Sequence, residues 1–259
     1  ALEARAKGRE PAANFDFLYR RLLRMAVTRE EQFIELVERY FSLEMLIGVL
    51  QRMIGSGLIG GKSLGMLLAR AILKSANPEW HDKLEAHDSF FVGSDVFYTY
   101  LVQNDCWWLR RRLKAAGIRE LLAKAETAQQ KILGGVFPED IQHQFMEMLN
   151  YFGQSPIIVR SSSLLEDNYG NAFSGKYESV FCANQGTPEE RLAAFMDAVR
   201  TVYASTMSRD ALSYRSDRGL LGRDEQMALL VQRVSGEAHG GLFYPHIGGV
   251  GFSFNPYVW

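Results

Sequence analysis

The spacing of apolar residues changes period along this chain, and that change limits its fold more than any other sequence feature. Near the start, apolar residues recur at the intervals of three and four that are typical of a helix: Phe15, Leu18, Leu22 and Met25. From Pro156 onward, residues 157–159 form an apolar run, a stretch rich in Ser, Gly and Asn follows, and residues 177–182 indicate a second strand. Helices followed by mixed strands and helices predict an α+β fold with a helical region at the N-terminus.

Helix-capping and helix-breaking residues divide the N-terminal part of the chain into separate predicted helices. Thr28 and Glu31 have the spacing of a capping box, which predicts the start of a second helix there. A third helix is predicted over residues 42–54, where a run of glycines ends it. A further helix is predicted through Leu64, Leu67, Leu68 and Ile72, ending at Asn77-Pro78.

The later elements are predicted from period and capping. Thr187, Pro188 and Glu190 supply an N-cap, a first-turn proline and a capping-box acid for one helix. The other expected elements are strands at 89–93, 227–234 and 249–254, a helix through Val96, Tyr100 and Leu101, and a helix over 110–131. Residues 235–246 indicate an insertion before the last strand, without an assigned role.

Charge and cysteine usage exclude several classes of function. The 29 basic and 30 acidic residues give a net charge of −1, so no global field favours nucleic acid or an anionic membrane. The two cysteines make no disulfide framework, and their spacing with the five histidines fits no common zinc pattern, so no metal ligands are assigned. No apolar run reaches membrane-spanning length. We therefore expect a soluble, cytoplasmic protein that binds any phosphate locally.

The first candidate motif is a glycine run, residues 55–61, that opens a helix and leads into Lys62. Backbone N–H groups at a helix N-terminus attract anions, and an adjacent ammonium adds a full charge. The motif is therefore a candidate phosphate site. Ser56 stands where a P-loop requires glycine, and the preceding segment indicates a helix, so a P-loop NTPase is disfavoured. The alternative is a flexible connection with a solvated lysine.

The second candidate motif begins at Arg160, at the end of the 157–159 strand. A guanidinium in a buried strand is costly unless paired, and its planar donors suit a phosphate, with the hydroxyl of Ser161 beside it. Downstream, Ser174 and Gly175 belong to a loop whose N–H groups can surround phosphates. The alternative is a structural ion pair of Arg160 with Glu166 or Asp167.

The third candidate is the apolar strand 227–234, which is interrupted by the polar pair Gln232 and Arg233. An adenine ring needs apolar faces and backbone groups at its edge, which a strand leading into a hinge can supply. The alternative is an ordinary core strand.

In their shared order, these motifs resemble the N-terminal PEP/pyruvate-binding region of pyruvate phosphate dikinases and phosphoenolpyruvate synthases, from about residue 55 onward. The matching pieces are Gly60-Gly61-Lys62 with Leu64-Gly65-Met66, Val159-Arg160-Ser161-Ser162, Glu166-Asp167, Phe173-Ser174-Gly175, Ser213-Tyr214-Arg215, Val231-Gln232-Arg233 and Gly249-Val250-Gly251-Phe252-Ser253. Their common order is the evidence, since no piece is decisive alone.

The resemblance implies an ATP-grasp-like nucleotide-binding domain over residues 55–259, preceded by a helical extension over residues 1–54. It implies that Lys62 and Arg160 act on the phosphates as the catalytic cations, with Ser161 beside them. The Ser174-Gly175 loop would cover the phosphates. Gln232 and Val234 would line the adenine pocket.

The resemblance also implies ATP and Mg²⁺ as cofactors, with magnesium carboxylates expected beyond residue 259. In that family, ATP phosphorylates a histidine on a separate domain, and a barrel domain exchanges the group with pyruvate. These downstream phosphohistidine and PEP/pyruvate domains are the expected partners, oligomers are compatible with the sequence, and this chain alone is expected to be inactive. The alternatives are a dikinase-like enzyme acting on a glucan or small molecule, and a nucleotide-sensing or scaffolding module without catalysis.

Overall fold

The computed structural model describes residues 15–85, 87–108, 117–165 and 175–249. It is a mixed α+β structure. The helices are α1 (Phe15–Ala26), α2 (Glu31–Tyr40), α3 (Leu43–Gln51), α4 (Gly61–Ala76), α5 (Trp80–Lys83), α6 (Ser94–Gln103), α7 (Ile118–Leu133), α8 (Glu139–Phe152), α9 (Pro188–Ser205) and α10 (Arg209–Asp217). The strands are β1 (Met53–Ile54), β2 (Ser89–Val92), β3 (Ile157–Ser163), β4 (Ser179–Cys182), β5 (Met227–Arg233), β6 (Glu237–His239) and β7 (Leu242–Tyr244).

The main sheet has five strands in the order β1-β2-β5-β3-β4. The β1–β2 pair is parallel, and the other pairs are antiparallel. β5 is central, and Val231 lies opposite Val159 of β3. Because β5 has neighbours on both edges and is covered on both faces, its residues from Met227 to Val231 are all buried. β6 and β7 form a separate antiparallel hairpin.

Helices cover both faces of the sheet. Leu229 and Val231 belong to one hydrophobic cluster, which contains buried residues of α6 to α10. Leu230, between them, belongs to a second cluster with residues of α1 to α4. Alternation of side chains along a strand explains this division. The sheet therefore separates a layer containing α4 from a layer containing α8 and α9.

The N-terminal helices follow the predictions except at their boundaries. α1 is confirmed, but the capping box at Thr28 is wrong, since α2 begins at Glu31 and its N-cap is Glu30. Thr28 instead accepts a hydrogen bond from the Glu30 N–H at 3.2 Å, a local turn that competes with capping. Ser42 does cap α3, through the N–H of Met45.

The prediction of a helix up to residue 54 is wrong at its C-terminal end. α3 ends at Gln51, and Met53 and Ile54 instead pair with Phe91 and Val92 of β2. A short strand therefore precedes the glycine run. Residues of α1 to α3 also share a hydrophobic cluster with α4 and Phe91, so they pack on the same sheet. A domain boundary after residue 54 stays a prediction.

The later predictions are largely confirmed within the described residues. α4, β2, α6, β3, β4, α9 with its capping box, and β5 all form where expected. The helix predicted over 110–131 is observed as α7 in its described part. The apolar periodicity and the capping signals did not predict α8, α10 or the β6–β7 hairpin. The strand predicted at 249–254 lies, apart from Gly249, outside the described residues.

Candidate functional site

The N-terminus of α4 is fixed against the end of β3. Gly60 precedes α4 with a φ of +79°, and a Cβ at this position would lie 1.5 Å from the Ser162 carbonyl oxygen. The buried hydroxyl of Ser162 donates to the Ile59 carbonyl at 2.8 Å and accepts from the Ser63 N–H at 3.0 Å. Only glycine permits this approach of two backbone segments. The contact sets the position of Lys62, two residues after Gly60.

Lys62 extends from the first turn of α4 to β3. Its Nζ donates a 2.8 Å hydrogen bond to the Oγ of Ser161, which is fully buried. The last residue of β3 that pairs with β4 is Arg160, which lies opposite Ser179. Ser161 is the next residue of β3, beyond this pairing. The lysine therefore contacts β3 at the residue that follows Arg160.

Arg160 lies on the side of the sheet that α4 covers. Its guanidinium donates to Oε1 of Gln232 on the neighbouring strand at 3.4 Å, and the amide of Gln232 is 3.2 Å from the sulfur of Met66 in α4. Arg160 and Ser162 share a face because side chains alternate along β3. Lys62 is one helical turn from Met66. The structure thus joins Lys62 to Ser161 and Arg160 to Gln232, at adjacent residues of β3.

The backbone N–H groups in the first half of the glycine run bind the carboxylate of Asp95. The N–H groups of Ser56 and Gly57 donate to Asp95 at 2.9 and 2.7 Å, and the Ser56 hydroxyl donates at 3.2 Å. Asp95 stands in the first turn of α6. The run is therefore a fixed turn, not the flexible connection of the alternative interpretation. These N–H groups bind a protein anion, so only the second half, at the α4 N-terminus, is a candidate phosphate site.

This turn also bears on the P-loop interpretation. The run follows a strand, β1, whereas the sequence indicated a helix. The spacing still departs from a P-loop, because Ser56 holds the position of the required glycine. The bonds to Asp95 further prevent the turn from surrounding a phosphate.

The segments flanking residues 166–174 are joined by one buried acid. Ser163 Oγ and Tyr177 OH both donate to the carboxylate of Glu225. Ser174, Glu166 and Asp167 lie outside the described residues. Gly175 is described and exposed, with a φ of +70°, and a Cβ there would meet no atom of the described residues within 4 Å. No sequence signal marked Glu225 or Asp95, because both act through contacts distant in the chain.

A cavity of about 590 Å³ lies at the end of β5. Gln232 and Val234, the expected adenine-pocket residues, both line it, as does Met66. Its other lining residues are Arg70, Glu85, His87, Asp88, Ser155, Pro156, Arg233, Ser235, Gly236 and Phe243. Of the predicted residues, Gln232 therefore contributes both to this cavity wall and to the contact with Arg160.

Asp88 organises the wall of this cavity. Its carboxylate accepts from Arg52 and Arg233 at 2.7 Å each and from Tyr151 OH at 2.9 Å. Burial raises the pKa of Asp88, but the hydrogen bonds from Arg233, Arg52 and Tyr151 outweigh it and lower the pKa below its usual value. The wall is thus a fixed polar network. Burial, with the charges of Arg70 and other cations, lowers the pKa of the neighbouring His87.

The Ser-Tyr-Arg segment lies in α10. Arg215 is fully buried there, and its guanidinium donates to the Arg223 carbonyl at 2.9 Å.

Across the described ranges, one group of three side chains is close enough to hold a metal ion: Glu237, His239 and His246. That group belongs to the β6–β7 region. No helix in the described part of the chain is long and apolar enough to span a bilayer.

Comparison with known proteins agrees with the resemblance. The family model described as pyruvate phosphate dikinase, AMP/ATP-binding domain, matches residues 56–258. The chain is also similar to a protein of Bacillus subtilis (strain 168) named uncharacterized phosphotransferase YvkC, with 29% identity over 139 residues. This alignment covers 53% of the chain and 15% of that relative. The chain thus corresponds to a small part of that protein's length.

Proposed function

The chain belongs to the pyruvate phosphate dikinase AMP/ATP-binding domain family, and from this we propose that it forms the ATP-binding part of a dikinase-like phosphotransferase. One observation carries the proposal. Lys62, at the head of α4, is hydrogen-bonded to the strand residue next to Arg160. Two cations from distant parts of the sequence are therefore associated with adjacent residues of β3.

The phosphate end of the proposed site consists of Lys62, Arg160 and Ser161. An ammonium carries three donors and a guanidinium five, and hydrogen bonds between such cations and phosphate are stronger than neutral ones. The α4 N-terminus adds its partial positive charge at the same place. Phosphoryl transfer relies mainly on positioning and charge neutralisation, which these groups supply. In the proposed ATP-grasp arrangement, the Ser174-Gly175 loop covers the phosphates.

The base end of the proposed site is the cavity at the end of β5. Gln232 joins the two ends, since it contacts Arg160 on one side and Met66 on the other. We assign the adenine ring to the space beside Met66 and Val234, where apolar side chains and the backbone after Gln232 line the wall. The volume of about 590 Å³ is ample for a base and ribose.

The carboxylates that anchor this region already have hydrogen-bond partners. Asp95 accepts from the glycine run, and Glu225 accepts from Ser163 and Tyr177. We therefore assign the Mg²⁺ ligands to residues outside those that the structure describes. Bound with ATP, Mg²⁺ would neutralise part of the phosphate charge. The proposed acceptor is a histidine on another domain of the full-length protein, as the resemblance implies.

The proposal is tested by titrating the full-length protein with ATP. Loss of a charge-assisted contact in Lys62→Ala or Arg160→Ala costs about 2 to 3 kcal/mol, which weakens binding roughly 30- to 150-fold. Lys124→Ala is the matched control, because Lys124 forms an exposed pair with Glu120 on α7 and should bind as the wild type does. Unchanged titrations for both site variants would refute the assignment.

A further inference from the structure

The β6–β7 hairpin brings together three side chains of metal-ligating type. Glu237, His239 and His246 each offer one ligand atom, and these atoms lie within 4.8 Å of one another. Glu237 and His239 are two apart on β6, so they project from the same face of the hairpin. His246 follows β7, and its Nε2 is 3.9 Å from a Glu237 carboxylate oxygen.

His239 provides a second, independent observation. Its Nε2 is buried, and it has no hydrogen-bond partner within the part of the chain that the structure describes. The ring is held by Tyr244, which stacks on it at a centroid distance of 4.1 Å. A buried imidazole nitrogen without a partner loses hydration without compensation. A metal ion would supply the missing partner.

The hairpin also needs stabilisation from some source. Each of its strands has three residues, and Leu242, Phe243 and Tyr244 of β7 are all exposed. An isolated two-stranded hairpin is marginally stable at best in water. A metal ion ligated from β6 and from the segment after β7 would close the open end of the hairpin and offset this deficit.

We propose that Glu237, His239 and His246 bind one Zn²⁺ ion, or a transition-metal ion of similar preference. Two imidazoles and a carboxylate suit such a metal, whereas Mg²⁺ and Ca²⁺ take oxygen ligands. Tetrahedral zinc with bonds near 2.1 Å places its ligand atoms about 3.4 Å apart. Because the side chains of Glu237 and His246 are both exposed, rotation of these two can close the remaining gap.

The proposed metal site and the proposed nucleotide site bind different ligands through different residues. The two sites are nevertheless neighbours, because Ser235, Gly236 and Phe243 of the hairpin region line the cavity. The ion would fix the hairpin and thereby hold Phe243 at the cavity. Zinc binding is measured without nucleotide, so failure of this proposal and failure of ATP binding are distinguishable.

The test is Zn²⁺ binding to the untagged chain, by competition with a chromogenic chelator, with Co²⁺ absorption as a spectroscopic readout. One equivalent should bind, and excess Mg²⁺ should not displace it. Glu237→Gln and His246→Ala change exposed side chains and, as direct ligands, should each weaken binding by at least the roughly 10- to 100-fold that loss of an outer-shell partner costs.

His143→Ala is the matched control, since His143 is exposed on α8 beside Glu147, away from the hairpin. It should bind zinc as the wild type does. The proposal is overturned if the wild type binds no more tightly than His246→Ala, which would leave Glu237 and His246 as a surface ion pair. It is also overturned if His143→Ala weakens binding as much as the hairpin variants do.

Discussion

Lys62 and Ser161 are 99 residues apart in sequence and are joined by a hydrogen bond of 2.8 Å between the ammonium and the hydroxyl. The bond ties the first turn of α4 to β3 at the residue that follows Arg160. Its geometry depends on the close approach of Gly60 to Ser162. The backbone contact therefore sets where the lysine stands, at the residue that follows Arg160.

Gly60→Ala should destabilise the fold severely. The new methyl group would lie 1.5 Å from the Ser162 carbonyl oxygen, at a φ of +79° that non-glycine residues rarely adopt. Overpacking against backbone and strain in this φ region together cost more than about 3 kcal/mol. Urea unfolding followed by circular dichroism measures the loss.

Gly65→Ala is the matched control for that substitution. Gly65 lies inside α4, and a Cβ there meets no atom of the described segments within 4 Å. Alanine should stabilise the helix by about 0.5 to 1 kcal/mol. Equal stability of the Gly60 and Gly65 variants would contradict the packing of α4 on Ser162.

Asp95→Asn should loosen the glycine run. The carboxylate accepts the N–H groups of Ser56 and Gly57, and removal of the charge weakens both bonds, by about 1 to 3 kcal/mol in total. Hydrogen exchange of the peptide containing these amides should become faster. Asp197→Asn removes an exposed acid paired with Arg200 and should leave that exchange unchanged. Unaltered exchange in the Asp95 variant would argue that the turn is held by other contacts.

Asp88→Asn should remove a pH-dependent part of the stability. The pKa of Asp88 is lowered from 3.8 in the folded chain, since the bonds from Arg233, Arg52 and Tyr151 outweigh the opposing effect of burial. A carboxyl with a depressed folded pKa stabilises the fold above its unfolded pKa, and this contribution is lost as the pH falls through the folded value.

The difference in unfolding free energy between wild type and Asp88→Asn should therefore be present at neutral pH and shrink below about pH 4. Urea titrations at several pH values measure it. A difference that stays constant down to the acid range would show that the Asp88 charge does not stabilise the fold.

The sequence predicted those elements whose signals are local. The capping box of α9 needs only Thr187 and Glu190, and both of its hydrogen bonds form. By contrast, α8 begins after Pro138 without a side-chain cap, so its start carries no capping signal. β1 consists of Met53 and Ile54 and exists only through pairing with β2, which no local pattern encodes.

The same distinction applies to the candidate site. Lys62, Arg160 and Gln232 were named from short motifs. In the structure Lys62 bonds Ser161 and Arg160 bonds Gln232, and their roles remain proposals. Asp95 and Glu225 could not be named, because Asp95 contacts Gly57 over 38 residues and Glu225 contacts Ser163 over 62. Such partners follow from the packing of distant segments.

If Lys62 and Arg160 hold one polyphosphate, inorganic tripolyphosphate should bind through them alone, because it lacks a base. This probe should compete with ATP for the wild-type full-length protein. In Lys62→Ala and Arg160→Ala its affinity should fall roughly 30-fold or more, as expected for loss of a charge-assisted contact. Equal affinity of tripolyphosphate for the wild type and both variants would contradict the claim.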